Sequence, residues 1–166
     1  QAFPSDPDVR LEIKCYPDDP DLEIIDDRIT LHRDFWSRSK LAKWYEGIDS
    51  FVSASKGEGW GWHQHEAMAT GRPVIAVPFG GISELFNDSV GFCLPYELKP
   101  ASGHYKGAGL WADTKTGDLV DIMRQVYAGG SAVDAKAALG SARAARYNYD
   151  KHGSDVERVL RGFGYL

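Results

Sequence analysis

The sequence predicts one α/β domain with a largely parallel sheet flanked by helices. Three observations carry that expectation. Short strand-forming runs alternate with segments of helical spacing. Residues 73–77 (PVIAV) form a continuous apolar run of the kind buried in parallel sheets. Glycines punctuate the junctions between the two kinds of segment. The chain has 166 residues, 43% of them hydrophobic, enough for a single domain with a core of its own.

The elements follow in order. Residues 9–16 (VRLEIKCY) alternate and are rich in strand formers, which makes them a first strand. Residues 17–27 read as a Pro/Asp loop and 28–32 as a short second strand. Within 36–46, Leu41, Trp44 and Tyr45 fall at helical spacing. Residues 48–54 (IDSFVSA) give a third strand, and a Gly-rich turn at 57–61 leads into a short helix at 63–70. Gly71 suits the left-handed position that ends this helix, and Pro73 forbids its continuation. After the apolar strand, Gly80-Gly81 turns the chain into a helix over 82–87, and 91–94 is a further short strand. Residues 95–110, rich in Tyr, Gly and Pro, read as a packed loop, with an acceptor-side or interdomain surface at 96–111 as the alternative. Helices at about 115–128, 133–147 and 153–162 complete the chain, with breaks at Gly129-Gly130 and His152-Gly153.

Composition narrows the partners. Lys plus Arg number 19 against 24 Asp plus Glu, a net charge of −5, and residues 1–27 hold nine acids against Arg10 and Lys14. Such a chain is a poor match for nucleic acid or an anionic membrane surface. No apolar run approaches the roughly 18 residues of a membrane span, so none is expected and the cytoplasm is the expected compartment. Cys15 and Cys93 lie far apart in hydrophobic runs and read as reduced core residues.

The chemistry concentrates in residues 55–66 (SKGEGWGWHQHE). Gly57, Gly59 and Gly61 let the backbone approach a ligand closely. The turn ends at a helix N-terminus, where amides and dipole favour a phosphate. Glu58 lies in the turn and Glu66 one turn into the helix, where carboxylates can accept hydrogen bonds from vicinal hydroxyls. Anion donors beside hydroxyl acceptors suit a nucleotide-sugar. The bare spelling leaves open a tight turn with two solvated carboxylates.

Glu58 and Glu66 are separated by seven residues and followed by Ala67-Met68-Ala69-Thr70-Gly71-Arg72-Pro73-Val74-Ile75-Ala76, then by Gly80-Gly81-Ile82-Ser83-Glu84. This order resembles the donor-binding, C-terminal half of a GT-B-fold retaining glycosyltransferase of group 1, or family 4. The similarity runs from about residue 9 to 160, with the specific motifs confined to 55–84. The resemblance implies a Rossmann-like parallel sheet and transfer of a sugar, of the hexosyltransferase class, from a nucleoside diphosphate sugar to an acceptor hydroxyl, with retention, in carbohydrate biosynthesis. By position, Glu66 matches the ribose-binding Glu and Glu58 the Glu that meets the donor sugar near the reacting centre. Gly59, Trp60 and Gly61 match the Gly-aromatic-Gly whose amides hold sugar hydroxyls. Trp62 and His63 fall where helix-start amides meet the diphosphate, and Gly80 and Gly81 form the second donor-side loop. Arg33 and Asp34 fall in the loop where the base stacks or bonds to backbone. Trp60 stands where Phe is commoner and Trp62 where Leu or Met is commoner, and both could simply pack the turn.

The family generally works without an Asp-x-Asp metal site, so no metal or other cofactor is expected beside the nucleotide-sugar substrate. Asp6-Pro7-Asp8 and Asp19-Pro20-Asp21 mimic that site by spelling and read as solvated turns. His63 and His65 at i, i+2 do not share a helix face. Arg143 and Arg146, at the end of an Ala-rich helix, read as a solvated face.

The family also places an Arg and a Lys after a first strand, and acceptor recognition in an N-terminal domain. That family strand, which would precede residues 9–16 and is central in the family's sheet, its Arg and Lys, and the N-terminal domain are not found in the sequence, and Gln1-Ala2-Phe3 reads as the end of the helix that follows the missing strand. The expectation is a donor-binding part of a larger protein, or a chain completed by a partner, with two strand edges exposed and little activity alone. The alternative is a non-catalytic binding or assembly module on the same fold that completes a partner chain. Sugar-nucleotide epimerisation fits the motif less well. Base, sugar and acceptor are not set by the spelling.

Overall fold

The computed structural model describes residues 1–17, 24 and 26–165. β1 (Leu11–Lys14) and β2 (Ile29–His32) pair in parallel, with Leu11 opposite Ile29. α1 (Arg38–Gly47) starts where the Ser37 side chain accepts from the Lys40 amide at 3.2 Å, satisfying one of the amides a helix start leaves open. β3 (Phe51–Ser53), β4 (Val74–Ala76) and β5 (Phe92–Cys93) form a second parallel sheet in that order. α2 (Trp62–Ala69) crosses from β3 to β4. It ends as the sequence predicts: Gly71 takes φ +74°, its amide donates to Met68, and the Arg72 amide donates to Ala67.

The predicted sheet is therefore present as two parallel sheets. Among the described residues β1 pairs with β2 alone and β3 with β4 alone, which leaves one edge of each without a strand neighbour. β4 is the centre of the core, with Val74, Ile75 and Ala76 all fully buried. Its alternation serves two layers. Val74 and Ala76 join Met68, Ile82, Leu85 and Phe86, while Ile75 joins Val77, Phe92, Leu94 and Val126. Cys93 is half-buried, and burial pushes its thiol up to about 11, which keeps it protonated and unreactive at neutral pH. The remaining helices are α3 (Thr116–Ala128), α4 (Ser131–Ala144) and α5 (Tyr149–Gly162).

Several expectations need correction. The segment 95–110 is not a packed loop: β6 (Glu97–Pro100) and β7 (Leu110–Asp113) form an antiparallel hairpin, with Tyr105 and Leu110 more than half exposed. Pro100, at a strand end, and a tip with Gly103, Gly107 and Gly109 at positive φ hid the alternation. The helix expected at 82–87 is a single 3₁₀ turn, Gly81–Glu84. His152-Gly153 is no break, because Asn148 accepts from the Lys151 amide at 2.8 Å and starts α5 four residues earlier. That cap is worth about 1 kcal/mol, comparable with the cost of a mid-helix glycine.

Gln1–Phe3 is not helical. The Gln1 and Ala2 carbonyls accept from Arg124, and the Phe3 ring lies 4.9 Å from Tyr127. Nor is Asp6-Pro7-Asp8 a free solvated turn: the Tyr127 hydroxyl donates to Asp6 at 2.7 Å, and Arg28 donates to the Asp6 carbonyl at 2.8 Å. The Tyr127 hydrogen bond, helped by the Asp8 amide, holds the Asp6 carboxyl below its ordinary range. Asp19-Pro20-Asp21 and most of the 17–27 loop lie outside the described residues.

Candidate functional site

Two loops leave the carboxyl ends of β3 and β4, and they lie against each other. The Gly81 amide donates to the Glu58 carbonyl at 2.7 Å, the Glu58 amide donates to the Phe79 carbonyl at 3.4 Å, and Glu58 and Gly80 form a parallel bridge. This contact explains the glycines. A Cβ on Gly81 would sit 1.8 Å from the Gly59 carbonyl oxygen. At Gly80, where φ is +87°, a Cβ would stand 2.5 Å from the Glu58 oxygen. Gly61 has φ +81°, and a Cβ there would press on Ile82 at 3.0 Å. Gly59 itself faces open space, as a backbone that must admit a ligand would.

Gly61 is also the N-cap of α2, and it supplies no side-chain cap. The first-turn amides of Trp62, His63 and Gln64 thus meet no capping oxygen, and the helix dipole adds positive potential at the same end. Glu58 and Glu66 flank that end, both half-buried. Tyr45 of α1 is 2% exposed, lies close enough to Glu66 to feel its charge, and has its hydroxyl 3.4 Å from His63 Nδ1. Burial, then the Glu66 carboxylate, pushes its phenol well above the ordinary tyrosine value, so Tyr45 remains a neutral donor. Sequence reading missed this residue as a site member, because Leu41/Tyr45 spacing marks only the inner face of a helix.

The two tryptophans separate. Trp60 packs, with its ring 5.1 Å from Tyr147 and its Nε1 donating to His65 Nδ1 at 3.4 Å. Trp62 remains 61% exposed, so packing does not account for it. His65 is buried while His63 is exposed. Arg33 is half-buried at the end of β2, and Asp34 is exposed and pairs with Lys40 at 3.7 Å. A row of rings runs from this loop toward α2: His32 to Trp36 at 4.8 Å, Trp36 to Trp44 at 5.8 Å and Trp44 to Tyr45 at 5.1 Å. Among the described residues no group of three or more His, Cys, Asp or Glu is placed to hold a metal ion.

The hairpin that the sequence did not disclose buttresses both loops. The Ala112 amide donates to the Lys56 carbonyl at 2.9 Å, and Lys56 Nζ lies 4.3 Å from the Trp111 ring centre. Tyr96 meets Phe79 at 5.7 Å between ring centres. Lys56 and Lys99 both donate to Asp113, at 2.7 and 2.5 Å, and hold its carboxyl at about 2. A lowered folded-state value means that the Asp113 interactions stabilise above its ordinary value of 3.8 and fade as pH falls through about 2. Lys56→Ala is expected to move the Asp113 titration, followed by NMR, up from about 2 toward 3.8. An unmoved titration would mean that Lys99 alone sets it.

The family model described as "Glycosyl transferases group 1" matches residues 4–101, more than half of the chain. A D-inositol 3-phosphate glycosyltransferase of Xylanimonas cellulosilytica is 30% identical over 132 residues, covering 80% of this chain and 30% of the relative. The lipopolysaccharide core biosynthesis mannosyltransferase LpsB of Rhizobium meliloti is 45% identical over 47 residues, 28% of this chain and 13% of that protein. The chain thus spans less than a third of these relatives. Among solved structures, Anabaena HepE in complex with UDP and glucose shares the fold, with a TM-score of 0.63 at 20% identity over 82% of this chain and 33% of that one. An α/β fold of parallel strands flanked by helices, the paired Gly loops between Glu58 and Gly81, and a family match across both place the chain among the group 1 glycosyl transferases.

Proposed function

We propose that the chain is the donor-binding part of a glycosyltransferase that moves a sugar from a nucleoside diphosphate sugar to an acceptor hydroxyl with retention. The observation that carries this reading is the pair of Gly loops pinned together at the uncapped start of α2, with Glu58 and Glu66 on either side. In this reading the departing diphosphate gathers negative charge, and the α2 amides at Trp62 and His63 meet that charge already oriented. Glu66 accepts from the ribose hydroxyls. Glu58 accepts from the donor sugar near the reacting carbon, and the backbone of Gly59, Trp60 and Gly61, with Gly80 and Gly81, encloses the sugar. Arg33 and Asp34 border the base. The reading uses no metal. It is supported by HepE, described with UDP and glucose, and by relatives named as glycosyl- and mannosyltransferases.

An acceptor-binding domain or partner chain completes the enzyme, which we place in the cytoplasm, in carbohydrate biosynthesis. The free edges of β1 and β3 and the short span relative to the relatives support that incompleteness, and activity of this chain alone is not expected. The same edges favour a second reading, a non-catalytic module that completes a partner's sheet.

Thermal unfolding in the presence of UDP, GDP, ADP and CDP tests the first reading. A nucleotide at about 100 times its dissociation constant should add roughly 2.7 kcal/mol, a rise in Tm of several degrees. Glu66→Ala is expected to abolish that rise while leaving the unliganded Tm within a few degrees. The responding nucleotide names the base. No response to any of the four, together with obligate association in sizing, would favour the assembly module.

A further inference from the structure

A cleft of 1160 Å³ opens between α2, the end of α4 and α5, and the donor reading leaves most of it unused: Trp60, Trp62 and Glu66 line it, whereas Glu58, Gly59 and Gly80 do not. Its back wall is built from rings. Trp62 stacks on His65 at 6.0 Å and 26°, and Trp60 stands edge-on to Tyr147 at 5.1 Å. His65 is 9% exposed and bonded to the Ala144 carbonyl at 3.1 Å, while the Tyr147 hydroxyl donates to the Glu84 carbonyl at 3.2 Å. These bonds hold the wall in place, and Trp62 still leaves most of its surface open.

Two cations face the same space. Arg143, in the last turn of α4, and Arg146, just past its end, are solvent-accessible as the sequence suggests, and both line the cleft. Among the described residues neither guanidinium has a hydrogen bond or ion pair. The neighbouring cations of α5 do: Lys151 and Arg158 pair with Asp155, and Arg161 pairs with Glu157. Of the acids at the cleft, Asp155 is engaged by those cations, which leaves Glu84, beside Glu66, to accept from a hydroxyl.

We propose that this cleft binds an anionic saccharide. The apolar C–H face of the sugar ring lies on Trp62, Glu84 accepts from a ring hydroxyl, and the guanidiniums of Arg143 and Arg146 hold the phosphate or carboxylate. A planar fork of donors matches either oxyanion, and two unpaired forks in a half-enclosed cleft have that chemistry to offer. An aromatic wall faced by convergent polar groups is what holds and orients a small ligand. The claim stands on the cleft and does not depend on the donor reading.

Titration calorimetry of the chain with glucose 6-phosphate, glucuronate, glucose and inorganic phosphate tests it. At least one of the two charged sugars should bind about tenfold or more tightly than both glucose and inorganic phosphate, and which one binds tells phosphate from carboxylate. The Arg143→Ala/Arg146→Ala double variant should lose at least that factor, and Trp62→Ala should weaken the charged sugar without changing inorganic phosphate. The double variant should keep the nucleotide response of the native chain, so an absent response beside intact sugar binding would sink the donor reading and not this one. Equal affinity for charged and neutral sugars, or binding unchanged by the double variant, overturns the proposal.

Discussion

Gly81→Ala is expected to destabilise the domain by roughly 3 kcal/mol, from overpacking and one lost hydrogen bond, and to remove any response to nucleotide. The new methyl would lie 1.8 Å from the Gly59 carbonyl oxygen and 2.7 Å from its carbon. Both obstacles are backbone, so no side-chain rotation relieves them. The two loops must part, and parting breaks the 2.7 Å bond from the Gly81 amide to Glu58. Gly71→Ala is the matched control. Its φ of +74° strains any other residue, but nothing lies within 4 Å of the new methyl, so the cost is about 1–2 kcal/mol. Urea unfolding of the two variants, each with and without the responding nucleotide, separates strain from displacement. Gly71→Ala should keep the nucleotide response and Gly81→Ala should lose it. Similar losses of stability with the response kept in both would show that the loops need not touch to form the site.

The order of β1, β2, α1, β3, α2 and β4 was legible because each is set by local pattern: alternation at 9–16, the 41/44/45 spacing, the apolar run at 73–77, and Gly71 with Pro73. The site glycines were legible as a motif, yet their reasons differ and lie in contacts made only in the folded chain. Gly80 and Gly81 are demanded by the opposite loop, Gly61 by its own φ and by Ile82, and Gly59 by no protein atom at all. Spelling could not reveal the hairpin at 97–113, since its two four-residue strands are joined by a glycine-rich tip and gain their order from long-range contacts with Lys56 and Phe79. Tyr45 beside Glu66 and Tyr147 beside Trp60 are likewise contacts between segments distant in sequence, invisible to any periodicity. The break expected at Gly153 failed for the opposite reason: a local cap, Asn148, outweighed a local breaker.

Phe86→Ala is expected to cost about 3–5 kcal/mol, because a fully buried ring leaves a cavity that its neighbours cannot fill. Phe86, Ile82 and Leu85 are all fully buried and hold down the turn that carries Gly81, so the geometry of the site is anchored in the core. The ring is closely confined from one side. A Cβ on Gly91 would meet Phe86 Cε2 at 2.2 Å and Cζ at 2.6 Å, while the Val74 carbonyl oxygen stands 2.8 Å away. Gly91→Ala alone should therefore cost about 1–3 kcal/mol as an overpacked core. In the double variant the ring is gone and the methyl enters the space it left, so the combined loss should fall short of the sum by about 1 kcal/mol or more. Some penalty persists, because the Val74 carbonyl belongs to the central strand and cannot swing aside. Chemical denaturation of the two single variants and the double variant closes the cycle. Strict additivity would show that the Val74 backbone, and not the Phe86 ring, excludes a side chain at Gly91. Coupling of the expected sign would show that the ring anchoring the second loop is positioned by the absence of a side chain five residues further on.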